Sequence, residues 1–157
     1  MDVRPAETTD LDQLARVWHD GWHEAHAHLA PRELTQQRTY DSFRSRLHPL
    51  LPDTRCIGPL GAPTGFCIIH GDELYQLFVS PDSRGTGAAA ALIADAERRL
   101  AKNGITTAWL SCAMGNHRAA KFYEKQGWHL ARTMVYDAQT DQGTFPIEVW
   151  RYEKPLA

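Results

Sequence analysis

The sequence has few cysteines, no excess of charge of one sign and no long apolar run. Each shortage excludes a class of protein. The 157 residues hold three cysteines, Cys56, Cys67 and Cys112, an odd number with no C-x-x-C spacing. A disulfide scaffold is therefore excluded. Cys67 in GFCII and Cys112 in WLSCAM have the apolar neighbours of buried free thiols, which suits a reducing cytosol. Seventeen Lys and Arg stand against nineteen Asp and Glu, a net charge of −2. That balance argues against nucleic acid as the main partner and against membrane binding through a polybasic surface. No stretch approaches the roughly 20 apolar residues that a membrane helix needs. The N-terminal MDVRPAETTD lacks the apolar core of a signal peptide. A cytoplasmic protein is expected, with no nucleic-acid or membrane partner. Repeats and low-complexity segments are absent.

What is present is an ordinary globular composition, 43% apolar and 23% charged. At ~150 residues per domain, residues 1–157 are expected to form one domain. A short strand at Met1–Ala6 leads to Thr9 or Asp10, either of which can cap a helix. Leu11, Leu14, Ala15, Trp18, Trp22, Ala25 and Leu29 follow at helical spacing. Pro31 opens a second helical stretch through Leu34, Phe43 and Leu47, closed by Pro49 and Pro52. Arg55–Leu60 is a weak strand and Gly65–His70 a stronger one. Gly71-Asp72 turns the chain into a strand over Glu73–Ser80. A long helix runs from about Gly85 to Asn103, followed by a strand over Thr106–Cys112. Asn116 caps a short helix that ends at Gly127, and strands at His129–Asp137 and Phe145–Glu153 close the chain. The order β-α-α-β-β-β-α-β-α-β-β describes a mixed α/β (α+β) sheet with helices on it. Strand, helix and strand over 73–112 form one crossover, so these two strands should be parallel.

The chemistry concentrates where the strand over 73–80 runs into the long helix. Arg84-Gly85-Thr86-Gly87-Ala88-Ala89 places small residues and one fixed cation at a helix start. Backbone N–H groups there lack partners, and the helix dipole adds positive potential, so a diphosphate can approach closely. The plainer alternative is a helix start that packs tightly. A Walker loop is absent. Gly85–Ala90 reads nominally as G-x-G-x-x-A. However, Ser80–Arg84 separates it from its strand, and no ribose-binding acid follows the next strand, so an NAD site fits poorly.

Arg84–Ala89, with its lead-in Val79-Ser80-Pro81, resembles the acetyl-CoA signature Arg/Gln-x-x-Gly-x-Gly/Ala of the GCN5-related N-acetyltransferase (GNAT) superfamily. Asn116–Trp128 is similar to that family's N-x-x-A-x-x-[FL]-Y-E-K-x-G-[FW] helix. The two motifs span about residues 73–128 in the expected order. The resemblance implies a mostly antiparallel sheet of six to seven strands, about four flanking helices and a central β-α-β crossover that binds acetyl-CoA. The implied reaction is acetyl transfer from acetyl-CoA to a primary amine, with no metal.

The resemblance also assigns roles. Backbone amides of Gly85, Thr86, Gly87, Ala88 and Ala89, beside Arg84, would hold the diphosphate. The pantetheine would lie along Leu77, Phe78 and Val79, where a backbone N–H polarises the thioester carbonyl. Asn116, Ala119, Phe122, Tyr123 and Lys125 would complete the coenzyme site. Tyr123 would protonate the leaving thiolate, since a phenol keeps its proton at pH 7. Glu73 matches the strand position of the catalytic glutamate in the histone-acetylating branch; a solvent-exposed hairpin glutamate, or a water chain as base, is the competing reading. The first ~50 residues would wall the acceptor, with Trp22, His23, Tyr40 and Tyr75 as candidate contacts. His19, His23 and His26 share a helix face at zinc-compatible spacing, but no fourth ligand is indicated. A small-molecule amine is the expected acceptor and a protein amino group the alternative. A non-catalytic acyl-CoA-binding module is the competing function. A homodimer is left open.

Overall fold

In a computed structural model that describes residues 1–156, those residues form seven strands and five α-helices. They are β1 (Arg4–Pro5), α1 (Leu11–His26), α2 (Arg32–Gln37), α3 (Tyr40–Leu47), β2 (Thr54–Ile57), β3 (Gly65–His70) and β4 (Glu73–Val79). There follow α4 (Ala88–Lys102), β5 (Thr107–Ala113), α5 (His117–Lys125), β6 (His129–Thr140) and β7 (Gly143–Pro155). The sheet order is β1-β2-β3-β4-β5-β7-β6. Only β4 and β5 are parallel; every other neighbouring pair is antiparallel. This is the mixed, mostly antiparallel sheet expected, with the expected central crossover.

The sheet separates two apolar layers. On one face Leu92, Ala96 and Leu100 of α4 pack with Leu110 and Tyr152. On the other, Leu14, Trp18 and Trp22 of α1 pack with Phe43, Phe66 and Ile68. Each helix contributes the apolar stripe that its sequence spacing laid out.

Several boundaries differ from the sequence reading. The single helix expected from Pro31 to Leu47 is two, because Arg38 leaves helical geometry and Thr39 caps α3 through the Ser42 N–H. There are thus five helices rather than about four. The long helix begins at Ala88 and not at Gly85, because Gly85 (φ +76°) and Gly87 (φ +89°) lie in the left-handed region. Leu29 lies beyond the end of α1. The strand at Met1–Ala6 shrinks to Arg4–Pro5.

Asp10 does not cap α1 with its side chain. Instead its fully buried carboxylate receives Arg4 Nη1 and Nη2, each at 2.9 Å. The backbone N–H groups of Glu7 and Gly61 donate to it as well, each at 2.8 Å. These bonds tie β1 and the loop before β3 to the start of α1. The Arg4 bonds hold its pKa at about 2, below the usual 3.8. Asp10→Asn is therefore expected to cost about 3 kcal/mol near neutral pH, read as a lower denaturation midpoint at unchanged slope. A depressed carboxyl stabilises above its unfolded pKa of about 4 and loses this as pH falls toward 2. The gap between the two proteins should close across that window.

Candidate active site

β4 and β5 pair only at Glu73 and Trp109, and beyond that point they diverge. A bulge in the β3–β4 ladder sits at the divergence: Ile68 faces Gln76 while Ile69 faces Leu74, so Tyr75 is the extra residue. A bulge bends its strand and re-aims side chains. The outer edge of β4 past Glu73 is thus left without a neighbouring strand, and a cavity of about 520 Å3 opens between β4 and β5.

One end of this cavity is the turn before α4. Gly87 occupies the cap position and has no side chain to satisfy the helix start, so the first-turn N–H groups are free to meet an anion. Arg84 stands beside them, paired with Glu24 of α1, which also holds Arg118. The opposite wall is α5, capped by the Asn116 side chain through the Ala119 N–H.

Tyr123 on α5 also lines the cavity. Its ring packs near Phe122, Trp128 and Tyr152. The ring keeps an accessible edge, while its hydroxyl end is enclosed. Burial, followed by the neighbouring Cys112 thiol, pushes the phenol well above its usual pKa of 10. It is therefore a fully protonated donor at neutral pH. Burial likewise pushes the Cys112 thiol up to about 12.

A second cavity, of about 430 Å3, lies under α1 and the segment that follows it. It meets the first at the strand divergence: His26, Tyr75, Gln76, Ser111 and Ala113 line both. Trp18, Trp22 and Tyr136 form aromatic wall in the second. Behind Tyr136 sits Glu73, 6% exposed, whose carboxylate accepts the Tyr136 hydroxyl at 3.1 Å. Burial raises Glu73 from 4.5 to about 7, although the Tyr136 hydrogen bond opposes this.

The family model of the acetyltransferase (GNAT) family matches residues 11–128. The chain belongs to this family. An uncharacterized N-acetyltransferase of Mycobacterium bovis is 37% identical over 73 residues, 44% of this chain and 47% of that protein. The chain thus spans about half the length of this relative. The peptidyl-lysine N-acetyltransferase YjaB of Salmonella typhimurium is 26% identical over 135 residues, 82% of this chain and 83% of that one. Among solved structures, the PaiA N-acetyltransferase of Thermoplasma acidophilum in complex with coenzyme A superposes with TM-score 0.73. Its identity is 20%, and the match covers 98% of each chain.

Against the GNAT fold, the residues singled out in the sequence fall as follows. Leu77, Phe78, Val79, Arg84, Gly85, Gly87, Ala88, Ala89, Asn116, Ala119, Phe122, Tyr123 and Lys125 all line the first cavity. Thr86 does not; its hydroxyl donates to the Ser83 carbonyl and stiffens the turn. Trp22 and Tyr75 line the second cavity, but His23 and Tyr40 line neither. His23 Nε2 is bonded to the Arg38 carbonyl at 2.6 Å, and the Tyr40 hydroxyl donates to the Asp12 carbonyl. The histidine rings pack on one another and on aromatic neighbours: His19 and His23 lie tilted with centroids 4.5 Å apart, and His26, which lines both cavities, lies between Trp22 and Phe78. Among the described residues no three His, Cys, Asp or Glu side chains are placed to hold a metal ion.

Sequence reasoning missed Gly21, Gln76, Ser111 and Tyr136, and singled out His26 only within the His19/His23/His26 face. Gly21 had a readable signal, a glycine inside an apolar helical pattern. A Cβ there would lie 2.5 Å from Phe78 Cδ1, so glycine lets α1 press onto the cavity strand.

Proposed function

We propose that this chain transfers an acetyl group from acetyl-CoA to the primary amine of a small molecule by direct attack. The observation that carries this reading is the meeting of two cavities at the β4–β5 divergence. One has the helix-start amides and Arg84 suited to a diphosphate, and an unpaired strand edge suited to pantetheine. The other offers an enclosed, partly aromatic chamber for an acceptor.

In this reading the amine nitrogen attacks the thioester carbonyl carbon. A backbone N–H near Phe78 and Val79 stabilises the developing oxyanion. The carbon–sulfur bond then breaks, the leaving thiolate takes a proton from Tyr123, and the second proton of the attacking nitrogen returns to the Tyr123 phenolate as the amide forms. The proton lost by the ammonium passes to Glu73 by way of the Tyr136 hydroxyl. A carboxylate held at about 7 is well matched to accept it.

This assigns an acid limb near pH 7 in kcat/KM to Glu73, with the rate rising as the carboxyl loses its proton. Glu73→Gln is expected to remove that limb and lower the rate about 10-fold or more at pH 8. A pH–rate profile that does not move would remove Glu73 from the mechanism.

A protein lysine is the second reading, supported by the likeness to YjaB. Thiol release from acetyl-CoA against a panel of small amines and lysine peptides separates the two. Turnover with peptides alone would overturn the small-molecule reading. Coenzyme binding with no thiol release from any amine would indicate a non-catalytic binding module.

A further inference from the structure

The second cavity carries positive charge that its own walls do not neutralise. Arg38, at the end of α2, is 4% exposed, and Arg46 on α3 is half-buried. Both line the cavity, both guanidinium carbons lie near the Phe43 ring, 5.9 and 5.5 Å from its centroid, and Arg46 is close enough to act electrostatically on Arg38. Among the described residues neither belongs to an ion pair with a carboxylate. Glu148, the one acid in that wall, is exposed.

Their hydrogen bonding is also incomplete. Arg38 Nη1 donates to the Gln139 carbonyl, and Arg46 Nη2 donates to the Tyr75 hydroxyl at 3.1 Å. Arg38 Nε, Arg46 Nε and Arg46 Nη1 are buried without a partner. Burial and the facing Arg46 push the Arg38 guanidinium down to about 10, and the opposing field of Asp141, which forms no ion pair with it, does not offset this. Buried cations without a counter-charge are costly, and planar guanidinium donors match a carboxylate or phosphate in geometry.

We propose that Arg38 and Arg46 form the acceptor-recognition site, and that the acceptor is a small amine that also carries an anionic group, of the amino-carboxylate kind. The proposal rests on the acetyl-transfer reading above. The Tyr75 hydroxyl that Arg46 touches belongs to a residue lining both cavities, so the anion site is continuous with the place of transfer. Leu34, Trp22, Ile147 and Val149 supply apolar wall for an aliphatic or aromatic body. A protein lysine offers no anion, and its ammonium would enter a chamber that already holds two cations.

The test uses the full chain and matched acceptors: phenylalanine against 2-phenylethylamine, leucine against isoamylamine, and the aminophosphonate analogue of each. Thiol release should show kcat/KM about 50-fold higher for the anionic members. The better of carboxylate and phosphonate identifies the anion. Arg46→Gln should reduce that preference to a few-fold, with Arg46→Lys between. Equal use of charged and neutral amines by the wild type would overturn the proposal.

Binding provides a second, turnover-independent readout. With coenzyme A present, 3-phenylpropanoate should perturb tryptophan fluorescence at concentrations about 10-fold below those of its neutral amide. Parity of acid and amide would overturn the anion site. Acid binding without thiol release from any amine would instead overturn the transfer reading, and the acceptor assignment with it.

Discussion

Tyr123→Phe is expected to lower kcat about 100- to 1,000-fold while the KM for acetyl-CoA changes less than about threefold. The substitution removes one oxygen and keeps the ring that packs near Phe122, Trp128 and Tyr152. Folding should therefore survive, with a melting temperature close to that of the wild type. What is lost is a donor at the leaving sulfur. Burial, with the Cys112 thiol beside it, holds the Tyr123 phenol protonated at any working pH. The nearby Cys112 thiol is also protonated, but its Sγ lies near the Ala113 and Asn116 carbonyls, at 3.9 and 3.8 Å. Cys112→Ala should consequently have a much smaller effect on kcat. Steady-state thiol release on both variants checks this. A Tyr123→Phe enzyme with wild-type kcat would remove the acid assignment.

Gly87→Val is expected to weaken coenzyme binding about 100-fold. Gly87 has φ +89°, a region that a β-branched residue enters only at a cost of about 1–3 kcal/mol. No heavy atom lies within 4 Å of a Cβ built there, so the new side chain would project into open space. Gly87 also lines the first cavity, so that space adjoins the proposed diphosphate cradle. Backbone strain and exclusion of the phosphates act in the same direction. Calorimetric titration with coenzyme A measures the affinity, and a melting curve separates it from loss of fold. A folded variant with unchanged affinity would move the diphosphate away from this turn.

The residues that line the first cavity were largely legible because most lie in two contiguous motifs. A glycine-rich turn dictates its backbone shape locally, and α5 carries its residues at fixed helical spacing. The Thr86 side chain bonds its own turn, which motif membership does not reveal. His23 and Tyr40 were expected at the acceptor because the resemblance makes the first ~50 residues its wall. The structure ties them instead to the Arg38 and Asp12 carbonyls, across 15 and 28 residues of chain. Asp10 read as a simple cap and proved to be a buried partner of Arg4.

The sequence by itself determined the family, the β-α-β crossover, the turn at Arg84–Ala89 and the helix that carries Tyr123 into the wall of the first cavity. Each is encoded over a few consecutive residues, where covalent spacing and backbone preference suffice. Only the tertiary structure decided the second cavity. Arg38 reaches the carbonyl of Gln139, 101 residues away. Tyr136 covers Glu73 across 63 residues, and Tyr75 meets Arg46 across 29. Burial and, for the two arginines, the lack of an ion-pair partner among the described residues set the chemistry of these groups. Both are properties of the packed molecule rather than of any local stretch of chain.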